Sequence, residues 1–394
     1  MPTNEPFLSA MKPFLQDAWK KAGFKGPTSI QIKSTPLILE GKNVIAESPT
    51  GTGKTLAYLL PLLQRINLEI NSPQAVILAP SRELVMQIFE QTQKWAEGSG
   101  IAPASFIGGA NIKRQLEKLK KHPQVIVGTS GRVLELIKLK KLKMHEVKTI
   151  VMDEGDQLLV PEHIDTIKNI IKTTLNDRQL LLFSATLPNH IEQLAKDIMD
   201  QAEIVKVNQT KAAKSKVEHI YFVCEAREKI EVLRKIMRTG SLKALAFVKD
   251  IGNLSVLAEK LQYKGIPAGV LHSEAKKSER ETALKNFRAG KYPLLLATDV
   301  AARGLDIEGL THVIHVDFPE SVTQYVHRSG RTGRQGSSGI VISIVTPREE
   351  RDLKKFCREC QIPVHRKILF KGQITDKKPG PNRSNSNKRT RKRH

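Results

Sequence analysis

The stretch ESPTGTGKTLAYLLPLL, Glu47 to Leu63, decides how this chain folds. Before it the apolar run NVIA (43–46) reads as a strand, and after Lys54-Thr55 the apolar spacing reads as a helix. Strand, glycine-containing loop and helix in that order are the context of a phosphate-binding loop. Gly51 and Gly53 let the backbone turn so that its N–H groups face phosphate oxygens, and the helix N-terminus adds a favourable dipole. The loop Ser48-Pro49-Thr50-Gly51-Thr52-Gly53 then cradles phosphates. Lys54 neutralises the β and γ phosphates, and the Thr55 hydroxyl ligates Mg²⁺. Ser48 occupies the position of the usual first glycine, so taken alone the motif also fits an ordinary glycine-rich turn.

Short β-branched runs alternate with longer amphipathic segments on both sides of this stretch, which predicts an α/β fold of βα units around parallel sheets. In the first half the strands are expected at 43–46, 75–79, 125–128, 149–152 and 180–184. In the second they are expected at 220–224, 245–248, 268–272, 294–298, 313–316 and 340–345. The polar segment NQTKAAKSK (208–216) reads as a linker between a domain at 1–207 and another at 217–370. From about residue 371 to 394 the chain is rich in Lys, Arg, Asn and Ser, a composition expected to remain a disordered basic tail.

With 394 residues and 40% hydrophobic content, the chain is long enough for two or three domains. Its net charge of +24 favours a polyanionic partner, with nucleic acid ahead of an anionic membrane. Every apolar run is broken well before the ~20 residues that span a bilayer, and the N-terminus lacks a signal-peptide layout. A cytoplasmic protein with no membrane partner is therefore expected. Cys224, Cys357 and Cys360 are too few for a disulfide framework, and Cys357-x-x-Cys360 has no second pair to close a zinc site.

The run TIVM (149–152) leads into Asp153-Glu154-Gly155-Asp156. An apolar strand ending in carboxylates is where a nucleotide-bound Mg²⁺ finds its second anchor. Asp153 is expected to hold the ion through water, and Glu154 to orient and deprotonate the water that attacks the γ phosphate. A solvated turn is the ordinary alternative for such a cluster. The two motifs together carry more weight than either alone.

At this point the chain, from Phe7 to about Val345, resembles the DEAD-box ATP-dependent RNA helicases of the second helicase superfamily, in a bacterial form. Gly23-Phe24 with Pro27-Thr28-Ser29-Ile30-Gln31 is similar to the family's adenine-reading motif. The resemblance implies that Phe24 stacks on the base, Gln31 bonds its edge and Phe7 supports them. Pro80-Ser81-Arg82-Glu83-Leu84, Gly108-Gly109 and Thr129-Ser130-Gly131-Arg132 resemble the RNA-backbone motifs, which assigns RNA contact to Arg82, Gly109, Thr129 and Arg132. Ser184-Ala185-Thr186 resembles the motif coupling ATP state to strand separation, with Asp156 and His327 in the same role. ATDVAARGLD (297–306) and HRSGRTGR (327–334) match the second-half patterns without gaps. By resemblance Thr298 contacts RNA, Asp306 the ribose, and Arg331 and Arg334 reach across the cleft as arginine fingers.

The resemblance implies two tandem RecA-like domains, with ATP and Mg²⁺ as cofactors and single-stranded RNA as partner, held through its backbone. It also implies a monomer that unwinds short duplexes non-processively, in ribosome assembly, mRNA turnover or another ribonucleoprotein. Several residues depart from the family pattern. Gly155 replaces an alanine, expected to loosen the backbone by ~1 kcal/mol at most while leaving the carboxylates intact. Ser48, Ser81, Val85 and Ser130 replace Ala, Thr, Ala and Pro. Ser273 stands for a glycine, and Lys277, three residues before Arg280, for a glutamine. Two rivals are a DNA-directed translocase of the same superfamily and a non-enzymatic RNA clamp or annealing chaperone relying on the basic tail.

Overall fold

The computed structural model describes residues 7, 9–207, 217–272, 274–275, 277–302, 307, 309–333 and 337–376. Seven parallel strands form a first sheet: β1 (Val44–Glu47), β2 (Ala75–Leu78), β3 (Pro103–Phe106), β4 (Val125–Gly128), β5 (Thr149–Asp153), β6 (Gln179–Ser184) and β7 (Glu203–Lys206). Their spatial order is β3-β4-β2-β5-β6-β1-β7. A second sheet contains β8 (Val217–Val223), β9 (Ala244–Phe247), β10 (Ala268–Leu271), β11 (Leu294–Ala297), β12 (His312–His315), β13 (Gly339–Val345) and β14 (Val364–Arg366). Its order, β10-β11-β9-β12-β13-β8-β14, is the order of the first sheet counted again from β8. The two halves are therefore one topology used twice, and the expected tandem parallel-sheet architecture is present.

Every strand expected from the sequence forms within a few residues of its expected limits, because each is a short, largely apolar run. Strands β2, β4 and β11 are buried along their whole length. Their alternating side chains serve two core layers: Ile77 and Val127 pack under one face of the first sheet, Val76 and Ile126 under the other. Unforeseen are β3, β7 and β14, which lie at sheet edges. In β7 only Val205 is buried, so no apolar run marks it.

The C-terminal boundary needs correction. A hairpin of β15 (Ile368–Phe370) and β16 (Gln373–Thr375) crosses the expected tail start at 371. Leu369 and Ile374 pack against the second core, and Lys367 Nζ meets Asp376 Oδ1 at 2.7 Å. The expected linker at 208–216 and the remaining tail, 377–394, lie outside the described residues. Among the described residues no helix is long and apolar enough to cross a membrane.

Parallel strands place all their carboxyl ends on one edge, which is where loops bearing ligands collect. The phosphate loop follows β1, Asp153 ends β5, Ser184 ends β6 and Thr298 follows β11. In the second half the sheet also buries His219, whose Nδ1 is 2.7 Å from the Tyr325 hydroxyl. Burial pushes the His219 pKa down from 6.5 to about 4. The fold keeps this ring neutral where an unfolded chain takes up a proton, so its share of stability is present above the unfolded value and is lost as pH falls toward the folded one. At pH 5 the loss amounts to about 2 kcal/mol. Urea denaturation at pH 7 and pH 5 should show the native chain losing about that much more stability than His219→Gln.

Candidate active site

The phosphate loop is tied to itself and to its neighbours. Gly51 and Gly53 take φ of 75° and 89°, values that other residues adopt only under strain. At Gly53 a Cβ would also stand 2.7 Å from Gln31 Nε2, so side-chain-free backbone is needed there twice over. Lys54 is 8% exposed and donates to the carbonyls of Ser48 and Pro49 at 2.7 and 3.4 Å. Thr52 donates to Pro49 O, and the Ser48 hydroxyl lies 2.7 Å from Thr52 Oγ1. Since the Thr52 proton is already used, Ser48 is the donor in that pair, a bond that alanine could not form.

The expected adenine site has a more elaborate support than the sequence indicated. Phe24 is 45% exposed and stacks on Trp95, with ring centroids 6.2 Å apart and planes 10° apart. Trp19 meets Phe24 edge-on at 5.1 Å, and Phe7 packs on Trp19 at 5.5 Å. Phe7 therefore supports Phe24 through Trp19. Neither tryptophan stands out in the sequence, because nothing local marks an aromatic pair separated by 76 positions. Gln31 is 2% exposed, accepts from the Thr28 N–H at 2.8 Å and donates to Gly53 O at 3.3 Å. Both ends of its amide are engaged with protein, so it joins the aromatic platform to the phosphate loop.

The carboxylates converge with residues from the second half. Tyr58 is wholly buried on the helix Lys54–Arg65 and donates to Asp153 Oδ2 at 2.9 Å. Burial and the charge of Glu154 push the Asp153 pKa up to about 6, against the opposing pull of Lys54 and the Tyr58 bond. Glu154 itself has φ 54° and ψ 54°, an uncommon left-handed conformation for a non-glycine residue. Asp156 Oδ2 accepts from Thr186 at 2.5 Å and lies 2.9 Å from His327 Nε2, across the cleft. The Asp156 N–H is 3.4 Å from Ser184 Oγ, and Gln157 Nε2 is 2.8 Å from His327 Nδ1. Burial alone would lower the His327 pKa, but the hydrogen bond and charge of Asp156 outweigh it and raise the value.

The phosphate loop also touches the second half directly. Thr50 donates to Gly330 O at 3.3 Å, and a Cβ on Gly330 would sit 2.1 Å from Thr50 Oγ1. Arg331 is 8% exposed, donates to His327 O at 3.1 Å and lines a cavity of about 630 Å³ between the halves, with Asp156, Gln157 and His327. Arg328 is committed elsewhere: it forms two bonds to Asp299, at 2.7 and 2.6 Å, and lies over the Phe247 ring. Asp306 and Arg334 lie outside the described residues.

The residues expected to meet RNA form one network. The Arg82 guanidinium lies so close to Gly109 that a Cβ there would stand 2.2 Å from Nη2. The Gly108 N–H donates to Thr129 Oγ1 at 3.2 Å, and Arg132 Nη2 donates to Ala110 O at 3.2 Å. Across the cleft Arg280 pairs with Glu83. Thr298 is 6% exposed, and its hydroxyl has no partner among the described residues.

The structure corrects the expectation for Gly155. A Cβ there would fall 2.5, 2.7 and 2.9 Å from Cγ, Cδ2 and Cδ1 of Leu182, a fully buried side chain of β6. The space of the family's alanine methyl is filled, so the backbone carrying Glu154 and Asp156 is held by packing and is not loosened. Gly155→Ala should destabilise the chain by roughly 1–3 kcal/mol through overpacking. Leu182→Val in the same chain should recover part of that loss, so urea denaturation of the two single variants and the double variant should show coupling of at least about 0.5 kcal/mol.

Comparison with known proteins agrees with this geometry. Residues 28–194 match the DEAD/DEAH box helicase family model, and residues 228–336 match the helicase conserved C-terminal domain. The chain is 57% identical over 372 residues to a probable ATP-dependent RNA helicase, YfmL, of Bacillus subtilis, covering 94% of this chain and 99% of that protein. It is 55% identical to the DEAD-box ATP-dependent RNA helicase CshC of Bacillus cereus, covering 94% of this chain and 95% of the relative. Among solved structures it is similar to S. cerevisiae Dbp5 bound to RNA and ADP BeF3, at a TM-score of 0.84 and 31% identity, over 92% of this chain and 95% of that one. With both halves matched in sequence and their strand order repeated in space, the chain belongs to the DEAD-box ATP-dependent RNA helicases.

Proposed function

We propose that this helicase hydrolyses ATP between its two sheets, and that RNA lying across both halves draws the cleft into its working geometry. The observation that carries this reading is the meeting of Asp156 and His327 at 2.9 Å, with Thr50 seated on Gly330 beside them. Neither half contains the complete set of polar groups. Turnover therefore requires closure, and any ligand that favours closure raises the affinity for the other by linkage.

In the proposed site the adenine stacks on the exposed face of Phe24, while Gln31, Phe7 and Asp306 complete its surroundings. Lys54 exchanges the carbonyls of Ser48 and Pro49 for phosphate oxygens. The donors for Mg²⁺ fit a hard cation: Asp153 is a buried carboxylate at the end of β5 and the Thr55 hydroxyl stands in the first turn of the helix Lys54–Arg65, while Glu154 Oε2 is buried with no hydrogen-bond partner among the described residues, which leaves it to the water. When bound, the ion would neutralise phosphate charge and hold Thr55 and Asp153 to the nucleotide. Glu154 then orients the attacking water and accepts its proton, and Arg331 and Arg334 supply positive charge as the phosphoryl group departs.

RNA contacts assigned to Arg82, Gly109, Thr129, Arg132 and Thr298 are to phosphate and sugar, so sequence preference is low. The 2′-hydroxyl is the group that would distinguish RNA from DNA. The reaction fits local, non-processive opening of duplexes by a cytoplasmic monomer acting on ribonucleoprotein particles.

Arg331→Ala should lower RNA-stimulated turnover by about 100-fold or more while leaving the affinity for a fluorescent ATP analogue within a few-fold. His327→Ala should uncouple the ligands, so that ATP no longer strengthens RNA binding in a fluorescence anisotropy titration. Equal turnover with and without RNA in the native protein would overturn the reading.

A further inference from the structure

Two helices leave the first sheet immediately after loops assigned to RNA. Ile112–Leu119 follows Gly108-Gly109, and Ser130–Lys138 follows Thr129. Leu116 and Leu119 from one and Val133 and Leu136 from the other enter the same core layer, so both helices cover the same face of the sheet. Both run to the end of the sheet opposite the cleft. There the strand starts are fastened side by side: the Gln74 N–H donates to Gln124 O at 2.8 Å, and the Lys148 N–H donates to Gln74 O at 2.9 Å. The chain reverses at His122 and Lys140, with φ of 48° and 56°.

Six lysines are exposed at this end: Lys120 and Lys121 after the first helix, and Lys138, Lys140, Lys141 and Lys143 at the close of the second. The carboxylates near them are already engaged. Glu117 pairs with Lys120, Glu135 with Arg132 and Asp177 with Lys148, while Glu146 lies 3.9 Å from His145. Lys121, Lys138, Lys140, Lys141 and Lys143 form no ion pair among the described residues. An uncompensated group of ammonium ions attracts polyanions over about a Debye length, ~8–10 Å at physiological salt. Lysines act as point charges that accept phosphates in any register.

We propose that this lysine ridge is a second RNA-backbone surface, which takes the part of an RNA that flanks the segment held in the cleft. The helix Ser130–Lys138 contains nine residues and so spans roughly 13 Å, about four duplex steps. Its first turn carries Arg132 and its end carries the ridge, so one RNA can reach both. The inference rests on RNA binding in the cleft, and the test separates the two. Leu139, 49% exposed among the lysines, makes an anionic membrane the competing occupant to exclude.

The experiment compares the native full-length chain with one carrying Lys138→Ala, Lys140→Ala, Lys141→Ala and Lys143→Ala together. One probe is a labelled single strand of about eight nucleotides, long enough for the cleft alone. The other is the same strand extended by a duplex of about two helical turns. The variant should bind the short strand, and be stimulated by it, within twofold of the native chain. It should bind the extended RNA about tenfold or more weakly, with the slope of log K against log salt shallower by about 3. Replacing the four lysines by arginine should restore both affinity and slope. Unchanged affinity and slope on the extended RNA would overturn the proposal, as would an equal loss on both probes. So would loss of binding to phosphatidylserine vesicles with extended-RNA binding retained. Failure of the native chain to bind either RNA would overturn the cleft reading as well.

Discussion

The contact between Asp156 and His327 is the constraint on which the rest of the site depends. Asp156 is a buried carboxylate, and burial by itself would push its pKa up. Its bond to His327 and the charge of that ring, with the hydroxyls of Thr186 and Ser184, hold the pKa below the ordinary value. Three pieces of sequence separated by up to 171 positions thus converge at Asp156. A buried polar contact of this kind yields little net stability, because desolvation of the carboxylate offsets most of the attraction. What it supplies is specificity: the second half can satisfy Asp156 only from one position. Opening the cleft would return both groups to water, so the contact marks the closed arrangement without locking it.

Around that contact, close approach is made possible where side chains are absent. Thr50 reaches the second half only because Gly330 has no Cβ. Gly109 similarly lets the Arg82 guanidinium lie against the backbone. These positions are steric requirements of contact between segments and owe little to local turn chemistry. The same logic explains Gly155, where the neighbour is an apolar core side chain. Leu182 faces Met152 across the β5–β6 register, so a strand interior sets the path of the acidic turn that follows β5.

Much of this architecture is legible in the sequence because its signals are local. Internal strands are short apolar runs with three to six buried residues each, and the phosphate loop and acidic turn follow strands directly. The edge strands β7 and β14 carry no comparable run, with one buried residue in β7 and none in β14, and β3 (Pro103-Ala104-Ser105-Phe106) is largely buried but lacks an apolar β-branched run. The terminal hairpin was hidden for a related reason: Leu369 and Ile374 are two apolar residues in a basic, polar stretch, and their partners lie far away in the chain. Tyr58 reads as one more apolar residue of a helix until its hydroxyl is found on Asp153. Trp19 and Trp95 are likewise silent until folding stacks them around Phe24. The residues proposed for the chemistry lie in local motifs, whereas those that pack around them are brought there by distance in space.

The state of the phosphate loop bears on how nucleotide and closure communicate. Lys54 rests on two loop carbonyls, Thr52 on a third bond, and Ser48 on Thr52. A phosphate competes with each of these bonds, so its binding exchanges internal hydrogen bonds for new ones and its net gain is the difference between the two sets. The same loop carries Thr50, the residue that meets Gly330. Gln31 extends the same chain of contacts to the aromatic platform, since its amide donates to Gly53 O. The loop proposed to seat the phosphates is therefore also the surface that the second half touches. A change at either end reaches the other through a handful of hydrogen bonds, each worth about 1 kcal/mol net. Coupling of a few kcal/mol, the usual range for linked ligands, requires no longer path.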